Sequence, residues 1–193
     1  MPNRLVLAPA LMLAVAVTPA LAEPVDTRTA RDLLYRDDRA EVTTFSTEGL
    51  SDQDVAVLSQ VAQTQKYYAA VAYAPDEGIL SEPTVMSANY HSVDAARAAA
   101  LAGCNERRNG GATCEIALEV RPQGWEPRAL QLSADATTAF NDEYRRAGGT
   151  RAFAISASTG LWGIGRGDHA QEDALAACQG DAEVSDCAIV IAD

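Results

Sequence analysis

Apolar and polar positions alternate along this chain in a pattern that runs through twice. The first pass opens with a short strand over Glu41–Phe45, followed by Ser51, a helix-capping residue. With Asp52 and Asp54 it places an oxygen acceptor and negative charge where the first helix N–H groups lack partners. Val55, Leu58, Val61 and Ala62 then recur at helical spacing. Tyr68–Tyr73 reads as a strand, Pro75-Asp76-Glu77-Gly78 as a turn, and Ile79–Ser81 as the returning strand of a hairpin. A second helix is predicted from near Ser92 through the alanine-rich Val93–Leu101, and Cys114–Val120 ends the pass as a buried strand.

The second pass has the same order. A strand over Arg128–Leu132 leads to a helix from Ser133, with Phe140 and Tyr144 as its apolar stripe and Gly148-Gly149 at its end. Ala152–Ser156 and Leu161–Gly165 form a hairpin around Ser158-Thr159-Gly160; a helix starts near Asp168, and Cys187–Ala192 is the last strand. A shift of 82 positions puts Ser51 on Ser133, Leu58 on Phe140, Ala72 on Ala154 and Gly78 on Gly160. Farther on, a shift of 74 aligns Cys104 with Cys178, and one of 73 aligns Cys114 with Cys187. The expectation is an α+β fold of two diverged repeats of strand-helix-hairpin-helix-strand, residues 41–120 and 121–193, with mainly antiparallel sheet. Neither copy has many large apolar residues, so the copies are expected to share a core. Residues 23–40 are charged, with Leu33, Leu34 and Tyr35 as their apolar patch, and read as a polar tail or a loosely packed helix.

The N-terminus changes the compartment. Arg4, an apolar run over Leu5–Val17 and Ala20-Leu21-Ala22 before Glu23 have the three parts of a secretory signal, so residues 1–22 are expected to be removed. The remaining 171 residues carry 14 basic against 27 acidic side chains, a balance of −13. Such a surface repels nucleic acid and anionic lipid, so neither is expected as a partner, and it favours solubility in the periplasm or outside the cell.

Four cysteines in an oxidising compartment allow three pairings. In each copy one cysteine closes a helix and the next opens a strand, which selects Cys104–Cys114 and Cys178–Cys187, one disulfide per repeat. Zinc is the competing reading, opposed by the absence of C-x-x-C spacing and by there being only two histidines.

Phe153-Ala154-Ile155-Ser156-Ala157-Ser158-Thr159-Gly160-Leu161-Trp162-Gly163, Asp173–Cys178 and Cys187-Ala188-Ile189-Val190 together resemble the domain of unknown function 4189 family, which are small exported bacterial domains. The similarity covers Phe153–Asp193 well and Tyr68–Val120 more loosely, since the first copy lacks the tryptophan-glycine pair after its turn. The resemblance implies an architecture and an exported setting, and no activity. An aminolevulinate synthase would not be supported: pyridoxal phosphate chemistry needs a Schiff-base lysine and a phosphate cradle, and the only lysine is Lys66.

Candidate chemistry is sparse. His91 and His169 both fall near the start of a second helix, but their aligned positions differ by four, so they read as exposed residues of helix-entry turns. Gly163-Ile164-Gly165-Arg166-Gly167 resembles a phosphate loop but lacks the βαβ context, and reads as a flexible strand exit. Arg107-Arg108-Asn109-Gly110-Gly111 is a basic loop tip on an acidic protein, and reads as solvated. Trp125, Trp162, Tyr67, Tyr68 and Tyr90 fit core packing as well as a ligand groove. No residue is assigned a catalytic, cofactor-binding or metal-binding role. The chain is therefore expected to be an exported binding or interaction module for a protein or small-molecule ligand. The alternative is an enzyme whose carboxylates come together only in the fold.

Overall fold

The computed structural model describes residues 23–193 apart from Ser46 and Glu183; the expected leader, residues 1–22, lies outside the described residues. A short helix α1 (Thr27–Leu33) precedes β1 (Ala40–Thr44), α2 (Asp52–Ala62), β2 (Ala69–Tyr73), β3 (Val85–Ser87), α3 (Val93–Arg107) and β4 (Glu115–Pro122). There follow α4 (Ala134–Ala139), β5 (Arg151–Ser156), β6 (Trp162–Arg166), α5 (Ala170–Gln179) and β7 (Cys187–Ala192). The fold is mixed helix and strand, with two antiparallel sheets ordered β1-β4-β2-β3 and β6-β5-β7.

Strand alternation sends successive side chains to opposite faces, and in both sheets the two faces carry different sizes. In the first, Ala69, Val71 and Tyr73 join Leu118, Val120 and the α2 residues Leu58 and Ala62. On the other face Ala70 and Ala72 meet Ala96, Ala100 and Cys104 of α3, small against small. In the second, Phe153, Ile155 and Ile191 pack with Phe140 and Tyr144, while Ala152 and Ala154 meet Ala170, Ala174 and Cys178 of α5. Each sheet has a bulge where its last strand passes its central one, between Val71 and Ala72 and between Phe153 and Ala154.

Serine starts three helices. Ser51 and Asp54 form a reciprocal capping box on α2, Ser92 caps α3, and Ser133 caps α4. Beyond α4 the chain widens into a π-helical turn over Phe140–Tyr144, which stacks these two rings 5.7 Å apart inside the core.

Three expectations are corrected. Arg128–Leu132 forms no strand. The outer edge of β7 is bridged in parallel by Val25, which gives its N–H to the Val190 carbonyl and accepts from Ala192 N–H, both at 3.0 Å. Leu130 and Leu132 insert into the second core instead. Of the two readings of residues 23–40, the tail is overturned and the helix is found: α1 buries Ala30 against that same core, with Leu33 and Leu34 beside it. The described residues thus reach the second sheet at Val25 before building the first. Finally, the strand opposite β2 is Val85–Ser87, not Ile79–Ser81. Ser81 and Thr84 both hydrogen-bond the Gly78 carbonyl, folding the intervening residues into turns that leave Leu80 95% exposed.

Cys104–Cys114 and Cys178–Cys187 are bonded, with Cα separations of 6.1 and 6.2 Å. Peptide mapping without reduction is expected to recover both pairs. Reduction is expected to lower stability by about 2–3 kcal/mol per bond, read from urea midpoints. A cross-link such as Cys104–Cys187 in the native protein would overturn the pairing. No described helix is long and apolar enough to cross a membrane.

Candidate functional site

A network of polar contacts lies where α4 begins. The first N–H groups of a helix have no partner within it, and here residues just before β2 and just after β3 supply acceptors. Ser133 N–H donates to His91 Nδ1 at 3.0 Å, Ala134 N–H to the Tyr67 carbonyl at 3.0 Å, and Asp135 N–H to Asn89 Oδ1 at 3.1 Å. Asn89, in the left-handed conformation at φ 63°, returns its amide to Asp135 Oδ2 at 3.1 Å, and Lys66 Nζ lies 2.5 Å from Asp135 Oδ1.

His91 has a second contact across the same junction, Nε2 to the Leu161 carbonyl at 2.8 Å. A backbone N–H can only donate and a carbonyl only accept, so the ring is the neutral tautomer carrying its proton on Nε2. It is 2% exposed, which overturns the expectation of a surface residue. Burial pushes its pKa down to about 4, against the opposing pull of the Leu161 carbonyl and the Asp186 carboxylate. His169 is exposed, 3.3 Å from Glu172, so the two histidines share no site.

Beside this junction is a groove of about 410 Å³ where residues 37–40, the α2–β2 turn and Gln123 converge. Its walls include Asp37, Arg39, Gln63, Gln65, Lys66 and Tyr67. A smaller recess of about 140 Å³, formed by Tyr35, Arg36, Arg39 and Gln123, shares two of those residues. Several of the charges are already engaged: Arg36 with Asp38 at 2.8 Å, Lys66 with Asp135, and Asp37 as acceptor from Thr138 Oγ1 at 2.8 Å. Among the described residues, the side chains of Arg39, Gln63 and Gln123 make no hydrogen bond or ion pair. Tyr35 is fixed by bonds between its hydroxyl and Glu126, and by the Arg128 guanidinium 3.7 Å from its ring centre. The 690 Å³ recess around Arg28, Arg31 and Arg145 has Asp26 and Asp193 in its wall, two side-chain carboxylates against three guanidinium groups.

The other sequence candidates have structural uses. The Arg107–Gly111 tip is tied to the Pro75–Gly78 turn: Asn109 bonds both Glu77 carboxylate oxygens, Ala112 N–H bonds Asp76, and Arg108 bonds the Gly111 carbonyl. Gly163 and Gly165 lie against the α5 backbone, so they mark a close approach and not a flexible exit. The five aromatics are divided among the cores, with Trp162 stacked on Phe153, Trp125 bonded to Gln131, and Tyr67 alone forming part of the groove wall.

Sequence reasoning missed Glu119. Fully buried on β4, it faces Arg97 Nη1 at 3.0 Å and Arg121 Nη2 at 2.5 Å, with Phe45 beneath both guanidinium groups. Its signal was legible: an acid between Leu118 and Val120, with arginine two residues on and therefore on the same face. The buried carboxylate is paired with two guanidinium groups. Comparison with known proteins gave no match: no family model, no curated protein and no solved structure is significantly similar to this chain.

Proposed function

We propose that residues 23–193 form an exported binding module, built from two diverged copies of one α/β unit of the kind the domain of unknown function 4189 family resembles. The junction groove is its ligand surface. Support for two copies comes from the shared order β4-β2-β3 and β7-β5-β6, capping serines 82 positions apart, and a bulge and a disulfide at matching places. The binding reading is carried by one observation: Arg39, Gln63 and Gln123 line a concave site as exposed side chains that make no hydrogen bond to other described residues. A cavity of this size with a few convergent polar groups on a rigid frame is what small-ligand sites have in common.

The test is a set of thermal melts of the disulfide-bonded mature chain with sugars, amino acids, dipeptides and nucleotides. At least one class is expected to raise the melting temperature of the native chain and not that of Arg39→Ala/Gln123→Ala. Stabilisation that survives the double substitution would place the ligand elsewhere. Chemical turnover of a stabilising compound would replace the module reading with an enzyme.

A further inference from the structure

We infer that the occupant of this groove is a neutral oligosaccharide, an assignment that rests on the binding-module reading above. Charge is the first argument. The whole chain carries −12, yet the groove's own charged lining is even, Asp37 and Asp38 against Arg39 and Lys66. A site with balanced charge gives no electrostatic reward to an anion or a cation, and the surrounding acidic surface repels anions on approach.

The donor set is the second argument. Gln63 and Gln123 each offer an acceptor oxygen and two N–H donors, and Arg39 offers a planar fork of donors. Adjacent sugar hydroxyls, each a donor and an acceptor, can pair with such planar groups. A purely apolar ligand would leave them desolvated and unpaired. Shape is the third argument. Because Arg39 and Gln123 border both the 410 Å³ groove and the 140 Å³ recess, the two adjoin and together offer more room than the groove alone. Tyr35, held at its hydroxyl by Glu126 and at its ring by Arg128, gives that surface a fixed aromatic end. Such fixing lowers the ordering cost of binding.

Isothermal titration of the intact mature chain tests this with four probes. Two are neutral, a β-1,4-linked N-acetylglucosamine tetramer and an α-1,4-linked glucose tetramer; the others are a galacturonic acid tetramer and tetra-alanine. At least one neutral tetramer is expected to bind, and Gln63→Ala/Gln123→Ala is expected to weaken it by about tenfold or more. Both glutamines are exposed, so the variant should melt with the native chain. Groove-dependent binding of tetra-alanine or the acidic tetramer in place of the neutral sugars would overturn the oligosaccharide and keep the binding module. A neutral sugar that binds the variant equally well would overturn the groove assignment. No binding by any probe would overturn the inference, and the broader solute melts then decide the module reading separately.

Discussion

Lowering the pH from 7 to 5 is expected to cost this fold about 2 kcal/mol through His91 alone, approaching 3 kcal/mol near pH 4. The sign follows from the direction of the shift. Burial holds the folded-state pKa at about 4, below the ordinary 6.5, so between these values the unfolded chain binds the proton more readily. The contribution is complete above pH 6.5 and is lost as pH falls toward 4. The geometry gives the same answer: protonation at Nδ1 turns the acceptor of Ser133 N–H into a second donor, and puts a charge where the ring is 2% exposed. Urea midpoints at pH 7, 6 and 5 measure the effect, with His91→Asn and His169→Asn as comparisons. His91→Asn should be weaker at pH 7, because Ser133 N–H or the Leu161 carbonyl loses its partner, but should lose less of its remaining stability on acidification. The His169→Asn chain should follow the native one. Equal acid losses in His91→Asn and the native chain would remove His91 as the cause.

Why His91 escaped the sequence is instructive. It stands in Asn89-Tyr90-His91-Ser92, a polar stretch before a helix, and nothing local distinguishes a surface turn from a junction. Its burial is decided by Ser133 and Leu161, which are 42 and 70 positions away. The same physics separates what was legible from what was not. Helices α2 and α4 could be placed because capping is local, and a serine acts on an N–H three residues ahead. The disulfides could be placed because each links a helix end to the next strand. Arg128–Leu132 could not, because a strand exists only where an edge is free to pair, and Val25 bridges the corresponding edge. The groove was equally hidden: residues 37–40, Gln63 and Gln123 lie far apart in sequence and meet only after β1 pairs with β4.

Gly165→Ala is expected to be among the most damaging single-methyl changes available in this chain. Gly163 and Gly165 are two apart on β6 and so point to the same face, toward α5. A Cβ at Gly165 would lie 1.8 Å from the Ala170 carbonyl oxygen and 2.6 Å from Ala174 N. At Gly163 it would meet the Ala174 carbonyl oxygen at 2.3 Å and Cys178 N at 2.4 Å. Neither glycine needs an unusual φ, so space is the whole reason for them. The contacted atoms are helix backbone, which no rotamer change can withdraw. Relief requires lifting α5 from the sheet, which would open the buried contacts of Ala170, Ala174 and Cys178 with Ala152 and Ala154. Cys178 is in turn bonded to Cys187 at the start of β7, so the helix cannot shift without straining that corner. Overpacking of this kind costs about 3 kcal/mol or more, which in a domain of this size lowers the melting temperature by roughly 10 °C. Gly148→Ala is the matched control, with no atom within 4 Å of the added carbon, and should melt close to the native chain. If Gly165→Ala melts with that control, α5 does not lie against β6 at these distances. The glycine spacing that resembles a phosphate loop would then need another explanation than helix-on-strand packing.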